Sequence, residues 1–141
     1  MNRTKKTFLN IFCPLAMALA IAASAHAQSA PLSANIPFNF KVGDTSFSSG
    51  TYTIQTLNSS ALVIRSADNR NASAIALANA ASAPYPQRSS RLVFKTYGGD
   101  QFFLSTVEWS GGPYRELLPS KAEIELAKTL RQPKKLEVAI K

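Results

Sequence analysis

The chain has 141 residues, with 16 lysines and arginines against 8 aspartates and glutamates, which gives a formal net charge of +8. Its one histidine and one cysteine, His26 and Cys13, both lie in residues 1–27, where an export signal is predicted below. A chain that loses this segment can form no disulfide and no Ser-His-Asp or Cys-His catalytic centre. It also lacks the usual ligands of zinc and copper.

The first 27 residues have the three parts of an export signal in the expected order. A basic start at residues 3–6 precedes an almost wholly apolar run at residues 8–23. Small residues then flank His26, as in a cleavage site for signal peptidase. We therefore predict a signal peptide at residues 1–27 that is removed from the mature protein.

The mature chain is predicted to have a polar leader at residues 28–33 and a single β-rich domain at residues 34–141. This length suffices for one modest hydrophobic core. The apolar run of the signal is short for a helix that spans a bilayer, which needs roughly 20 residues. We expect no transmembrane span in the mature chain, and we expect the protein in the periplasm or outside the cell.

Alternating polarity predicts short strands through most of the mature chain. In the first half the predicted strands are residues 36–42, 51–57 and 61–66. Pro37 has no N–H to donate, so the first strand is expected at an edge or to be irregular there. Residues 71–82 are rich in alanine, but Ile75 and Leu77 are two apart, which favours a strand.

The strongest strand patterns are residues 91–97 and 101–109, joined at Gly98-Gly99. A two-residue turn between them would place Phe94 opposite Phe103. The period then changes, and Ser120-Lys121-Ala122-Glu123 matches a capping box at the start of a helix. The fold class we predict is mainly β: a small antiparallel β-sandwich or barrel of about seven to nine short strands, with one C-terminal helix near residues 121–131 and a final short strand.

The segment EWSGGPYREL, residues 108–117, is the densest group of reactive side chains. A four-residue loop, Ser-Gly-Gly-Pro, would place Trp109 opposite Tyr114 and Glu108 opposite Arg115. An aromatic pair beside a pair of opposite charges is ordinary cross-strand stabilisation. The same four side chains are also the candidate ligand-binding residues, because aromatic rings stack on sugars while charged groups bind sugar hydroxyls.

A glycosidase would need two carboxylates about 5–5.5 Å apart if retaining, or about 6.5–9.5 Å apart if inverting. The predicted register places Glu108 and Glu116 on opposite faces of the hairpin. We therefore predict no catalytic residues and no enzyme activity. No metal or cofactor motif is present, and no motif favours nucleic acid.

A second candidate region is the loop at residues 83–91, where Tyr85, Arg88 and Arg91 are available to an anionic partner. The excess of basic residues favours attraction to an anionic surface or to envelope polysaccharide. A solvated connection is the simpler interpretation of this loop.

Three segments, NIPFNFKVGDTSFSSGTYTI, FKTYGGDQFFLSTVEW and RELLPSKAEIELA, give the chain a wider resemblance. It resembles the small exported uncharacterised proteins of acidobacteria-type soil bacteria over most of its mature length. This resemblance implies a bacterial envelope or extracellular setting. It implies no activity and no catalytic residues.

Three functions are compatible with these patterns. The favoured one is a non-enzymatic binding or structural module of the bacterial envelope or secretome. The alternatives are a lipocalin-like carrier of a small apolar ligand and a carbohydrate-binding or carbohydrate-hydrolysing protein that uses the tip at residues 108–116.

Overall fold

A computed structural model describes residues 29–130 and 132–140 of the chain. Within these ranges the protein forms ten strands and one helix. In chain order they are β1 Leu32–Ile36, β2 Phe40–Val42, β3 Thr45–Phe47, β4 Gly50–Asn58, β5 Ala61–Ser66, β6 Ser73–Ala81, β7 Arg91–Thr96, β8 Phe102–Glu108, β9 Tyr114–Leu117, α1 Lys121–Thr129 and β10 Lys134–Ala139. The predicted signal peptide lies outside the described residues.

The strands form one curled sheet in the order β1-β4-β5-β6-β9-β8. Strand β7 pairs with the other side of β8 and carries β10 at its outer edge. The hairpin of β2 and β3 lies beside the start of β8, and the pairing of β2 with β8 is parallel while the other pairings are antiparallel. Among the described residues β1 pairs only with β4, and β10 only with β7, so the sheet does not close.

The predicted fold class is confirmed: the protein is mainly β, with one helix near the C-terminus followed by a final strand. The described residues form ten strands where about seven to nine were predicted. The predicted strand at residues 36–42 is two elements, because the chain leaves the ladder between Ile36 and Phe40, where Pro37 has no N–H to give. The domain also begins earlier than the predicted residue 34. Strand β1 starts at Leu32, which is buried, so the polar leader ends before residue 32.

Aromatic side chains fill one end of the core and tie the β2–β3 hairpin to the rest of the sheet. The ring of Phe40 lies 5.3 Å from Phe47, 5.0 Å from Tyr52 and 5.5 Å from Phe94, measured between centroids. The contacts with Tyr52 and Phe94 are edge-to-face, a geometry worth about 0.5–1.5 kcal/mol beyond area burial. The interior of the curled sheet is therefore packed with side chains.

The hairpin of β7 and β8 has a register one residue away from the predicted one. Lys95, and not Phe94, lies opposite Phe103. The turn is longer than two residues, since the pairing ends at Thr96 and Phe102, and Gly98 and Gly99 lie within it at positive φ, 99° and 84°. The shift matters because it places Phe103 on the outer face of the sheet, opposite to the core face of Phe94.

The helix begins as its sequence predicts, but its glutamate has a different partner. The Ser120 hydroxyl accepts a hydrogen bond from the Glu123 N–H at 3.2 Å, which confirms the N-cap. The Glu123 carboxylate does not return to the Ser120 N–H; it accepts a hydrogen bond from the Tyr97 hydroxyl at 2.9 Å. Glu123 is buried, so this bond anchors the start of α1 to the sheet.

Replacement of Tyr97 by phenylalanine is expected to lower the free energy of unfolding by about 1.5–3 kcal/mol near neutral pH, since a hydrogen bond to a buried carboxylate is lost. Burial raises the pKa of the Tyr97 hydroxyl to about 12, and the bond to Glu123 acts in the same direction. The folded pKa thus exceeds the ordinary value of about 10. The stability contributed by Tyr97 is therefore complete below pH 10 and is lost as the pH rises toward 12.

Denaturant unfolding of both proteins near pH 7 and near pH 11 checks this expectation. The difference between wild type and Tyr97→Phe should shrink at the higher pH. Tyr85→Phe is the matched control, because Tyr85 is 62% exposed. A Tyr97→Phe difference that stayed constant with pH would contradict the assignment.

Candidate functional site

The hairpin of β8 and β9 has a register one residue away from the predicted one. Glu108 lies opposite Tyr114, and Arg115 lies opposite Val107. The predicted pairs of Trp109 with Tyr114 and of Glu108 with Arg115 are therefore wrong. Since successive side chains alternate between faces, this shift separates Glu108 from Arg115.

A loop tighter than the predicted one causes the shift. The Trp109 N–H donates to the Pro113 carbonyl at 3.1 Å, and the Trp109 carbonyl accepts from the Gly112 N–H at 3.0 Å. Gly111 adopts a left-handed φ of 61°, which permits the sharp reversal. A Cβ on Gly112 would lie 2.9 Å from the Trp109 Cβ, so only glycine fits this close approach.

Glu108 is buried in an ion-pair network that crosses three strands. Its Oε2 accepts a hydrogen bond from the Arg91 Nε at 2.5 Å, and the Arg91 Nη1 donates to Glu137 at 3.0 Å. The Glu108 side chain is 4% exposed, and its hydrogen bond raises the pKa of Arg91. Glu108 is thus a structural charge that links β8 to β7 and β10.

The two candidate carboxylates do not lie on opposite faces as predicted. Glu116 lies opposite Thr106, two residues before Glu108 on the same strand, so the register places both glutamates on one side of the sheet. However, Glu108 is engaged by Arg91, and neither glutamate lines either of the two cavities described below. The predicted separation of Glu108 and Glu116 onto opposite faces is therefore wrong, and the carboxylate of Glu108 is held by Arg91.

Trp109 is buried and does not offer a platform for a sugar. It is 4% exposed and belongs to the core cluster. Its indole N–H donates to the Ala30 carbonyl at 2.9 Å, which fixes the segment before β1 against the hairpin. Tyr114 lies opposite Glu108 and Ala81, apart from the cavity that Trp109 lines.

Trp109 and Arg115 do come together at an open groove with a volume of about 890 Å³. The segment before β1, the turn between β4 and β5, and the β8–β9 loop form its walls. Its lining residues are Ser29, Ala30, Leu32, Thr56, Leu57, Asn58, Ser59, Ser90, Trp109, Ser110, Gly112, Pro113 and Arg115. These residues are apolar or neutral polar apart from the one arginine.

Arg115 has an unsatisfied donor at this groove. Its Nη1 donates to the Ser59 carbonyl at 2.6 Å, while its Nε is buried and has no hydrogen-bond partner among the described residues. An unpaired buried donor costs about 1–3 kcal/mol. The lining residues include no aspartate or glutamate that would neutralise the guanidinium.

The loop at residues 83–91 supports the hairpin tip. The Gly111 N–H donates to the Gln87 carbonyl at 3.1 Å, and the Ser110 N–H donates to the Ser90 hydroxyl at 2.9 Å. The Ser110 hydroxyl donates to the Arg88 carbonyl at 3.2 Å. The loop at residues 83–91 and the segment at residues 108–117, two separate candidate regions in the sequence, are therefore joined by hydrogen bonds.

A second, smaller cavity of about 340 Å³ lies between the β2–β3 hairpin and the loop that precedes β8. Lys41 and Asp100 are its charged lining residues. In residues 29–130 and 132–140, no group of three or more histidine, cysteine, aspartate or glutamate side chains is placed to hold a metal ion. No helix in these ranges is both long and apolar enough to cross a membrane.

Comparison of the chain with known proteins finds no matching family model, no similar curated protein and no similar solved structure. The functional assignment therefore depends on the geometry of the groove.

Proposed function

We propose that the protein is an exported, non-enzymatic β-domain that binds a small ligand with an apolar body and an anionic group in the groove beside Trp109. The observation that carries the proposal is the Arg115 guanidinium, the one charged group among the described residues that line a groove of about 890 Å³, with no carboxylate in that lining to neutralise it. Sites for small molecules typically have volumes of about 300–1,000 Å³, mostly apolar walls and a few fixed polar groups.

The walls of the groove divide its surface into two chemical zones. Leu32, Leu57 and Pro113 supply apolar surface for the body of a ligand. Arg115 supplies the charge, and an anionic group of the ligand would pair with a guanidinium that no carboxylate of the described lining neutralises. A small carboxylate with an apolar body matches both zones.

This arrangement differs from a lipocalin-like carrier in where the ligand lies. Phe40, Phe94 and Val107 are almost completely buried within the curled sheet, so side chains fill the interior. The ligand is instead placed at the rim of the sheet, beside the segment that precedes β1. Export is part of the proposal because of the basic start, apolar run and cleavage site at residues 1–27.

Trp109 is the only tryptophan in the chain, so its fluorescence reports directly on the groove. We expect decanoate to change the emission of the exported protein, whose mass should match a chain that begins at Gln28. Arg115→Gln should weaken decanoate binding by about tenfold or more, as loss of a hydrogen bond to a charged group predicts.

Arg65→Gln is the matched control, since it removes the same charge from an exposed position that does not line the groove. Decanol should bind more weakly than decanoate, because it offers the guanidinium no charge. Equal binding of decanol and decanoate, with no effect of Arg115→Gln on a folded protein, would overturn the proposed anion site.

A further inference from the structure

Three lysines lie in one row across the outer face of the sheet. Lys135 on β10 is directly opposite Lys95 on β7, Lys95 is opposite Phe103 on β8, and Phe103 is opposite Lys41 on β2. The row runs across the strands, so β10 and β2 are three strand spacings, or about 14 Å, apart. It includes none of the residues that line the Trp109 groove.

Two lysines of the row are paired directly on neighbouring strands, which is an unfavourable arrangement. Like charges directly opposite each other destabilise a sheet, yet Lys135 and Lys95 are direct partners. Within the part of the chain that the structure describes, none of the three lysines forms an ion pair. No described carboxylate therefore forms an ion pair with the row.

Three acidic side chains on β8, β10 and α1 have partners outside the row. Glu108 and Glu137 both accept hydrogen bonds from Arg91, and Glu123 accepts one from Tyr97. Asp100 shares the smaller cavity with Lys41, but it forms no ion pair with it. The three lysines are therefore available to an external anion.

A buried aromatic ring supports the middle of the row. Phe103 is 1% exposed although it lies on the outer face. The Lys41 Nζ is 5.8 Å from the centre of its ring, and Tyr97 packs against it edge-to-face at 6.1 Å. This contact orients the Lys41 ammonium across the ring while keeping it on the surface.

We propose that this lysine row, Lys41, Lys95 and Lys135, binds a linear acidic polysaccharide that lies across the strands. A chain with one carboxylate per sugar presents a line of charges that a row one residue wide can pair with. A membrane surface fits less well, because electrostatic sites for lipids use clusters of about four to eight basic residues. The row also lacks an exposed apolar side chain for insertion, since Phe103 is buried.

Binding to polygalacturonate at low ionic strength tests the proposal, with neutral dextran as the reference polymer. The triple variant Lys41→Gln, Lys95→Gln, Lys135→Gln should lose affinity for polygalacturonate by about tenfold or more. A matched triple variant, Arg65→Gln, Lys121→Gln, Lys128→Gln, removes the same charge from exposed positions outside the row. It should lose no more than about threefold.

Thermal unfolding shows whether the row variant is folded, and its Tm at low salt should be equal to or above that of wild type, because the Lys135–Lys95 repulsion is gone. Equal losses of affinity in the two triple variants would overturn the proposal and leave only a net-charge effect. Row-dependent binding to vesicles of phosphatidylglycerol without binding to polygalacturonate would also overturn it, in favour of a lipid surface.

Discussion

Replacement of Trp109 by alanine is expected to lower the free energy of unfolding by about 3–5 kcal/mol, the usual cost of truncating a large buried aromatic side chain. Trp109 is 4% exposed and packs in the core, so the change removes a large apolar area and leaves a cavity. It also removes the indole N–H that holds the Ala30 carbonyl at 2.9 Å. The segment before β1 would lose its attachment to the hairpin.

Denaturant unfolding of wild type, Trp109→Ala and Trp109→Phe separates these two contributions. Phenylalanine keeps much of the buried ring but has no N–H, so we expect it to cost about 1–2 kcal/mol. Glu116→Ala is the surface control, since Glu116 is exposed, and it should change stability by less than about 0.5 kcal/mol. A Trp109→Ala cost as small as that of Glu116→Ala would contradict the burial of the indole ring.

Features of the fold that depend on neighbouring residues were predictable from the sequence. The Ser120 cap lies within four consecutive residues, and the structure forms it. The period-2 patterns likewise identify the strands of the two hairpins around Gly98-Gly99 and Gly111-Gly112. In these cases the chain segment itself contains both partners of the interaction.

The pairing register of the two hairpins could not be predicted from the sequence. Both hairpins turn at a Gly-Gly pair, and each has a pairing shifted by one residue from the predicted one. Glycine allows several backbone conformations at almost equal cost, so the sequence does not specify the loop length. A shift of one residue exchanges the two faces, which is why the burial of Glu108 and the lysine row were not foreseen.

The sequence indicated the part of the candidate site that lies within one hairpin, but not the part formed by distant segments. Trp109 and Arg115 are close in the sequence and line the same groove, but no local pattern indicates that Thr56 to Ser59 or Ser29 and Ala30 lie beside them. Those segments reach the hairpin only through the order of β1, β4, β5, β6 and β9 in the sheet. Such contacts between distant segments carry no local pattern.

Arg91→Ala is expected to lower the free energy of unfolding by about 3 kcal/mol, because it leaves the Glu108 carboxylate buried without its partner. The Glu108 side chain is 4% exposed, whereas Arg91 is 24% exposed and Glu137 is 54% exposed. We therefore expect the loss of the Arg91–Glu108 pair to lower the free energy of unfolding more than the loss of the Arg91–Glu137 pair. Glu137→Ala removes only the exposed pair and should cost less than about 1 kcal/mol.

A double replacement shows that the cost comes from the buried charge and not from lost packing. Arg91→Met with Glu108→Leu keeps side-chain volume and removes both charges, so we expect it to recover most of the stability lost in Arg91→Ala. Equilibrium unfolding of the single and double variants measures this recovery directly. Two results would contradict a stabilising role for the buried ion pair between β7 and β8. One is a double variant as unstable as Arg91→Ala, and the other is an Arg91→Ala cost no greater than that of Glu137→Ala. The expected recovery would instead show that Glu108 stabilises the fold through its ion pair with Arg91. Arg115, and not Glu108, is then the charged residue of the hairpin that lines the adjacent groove.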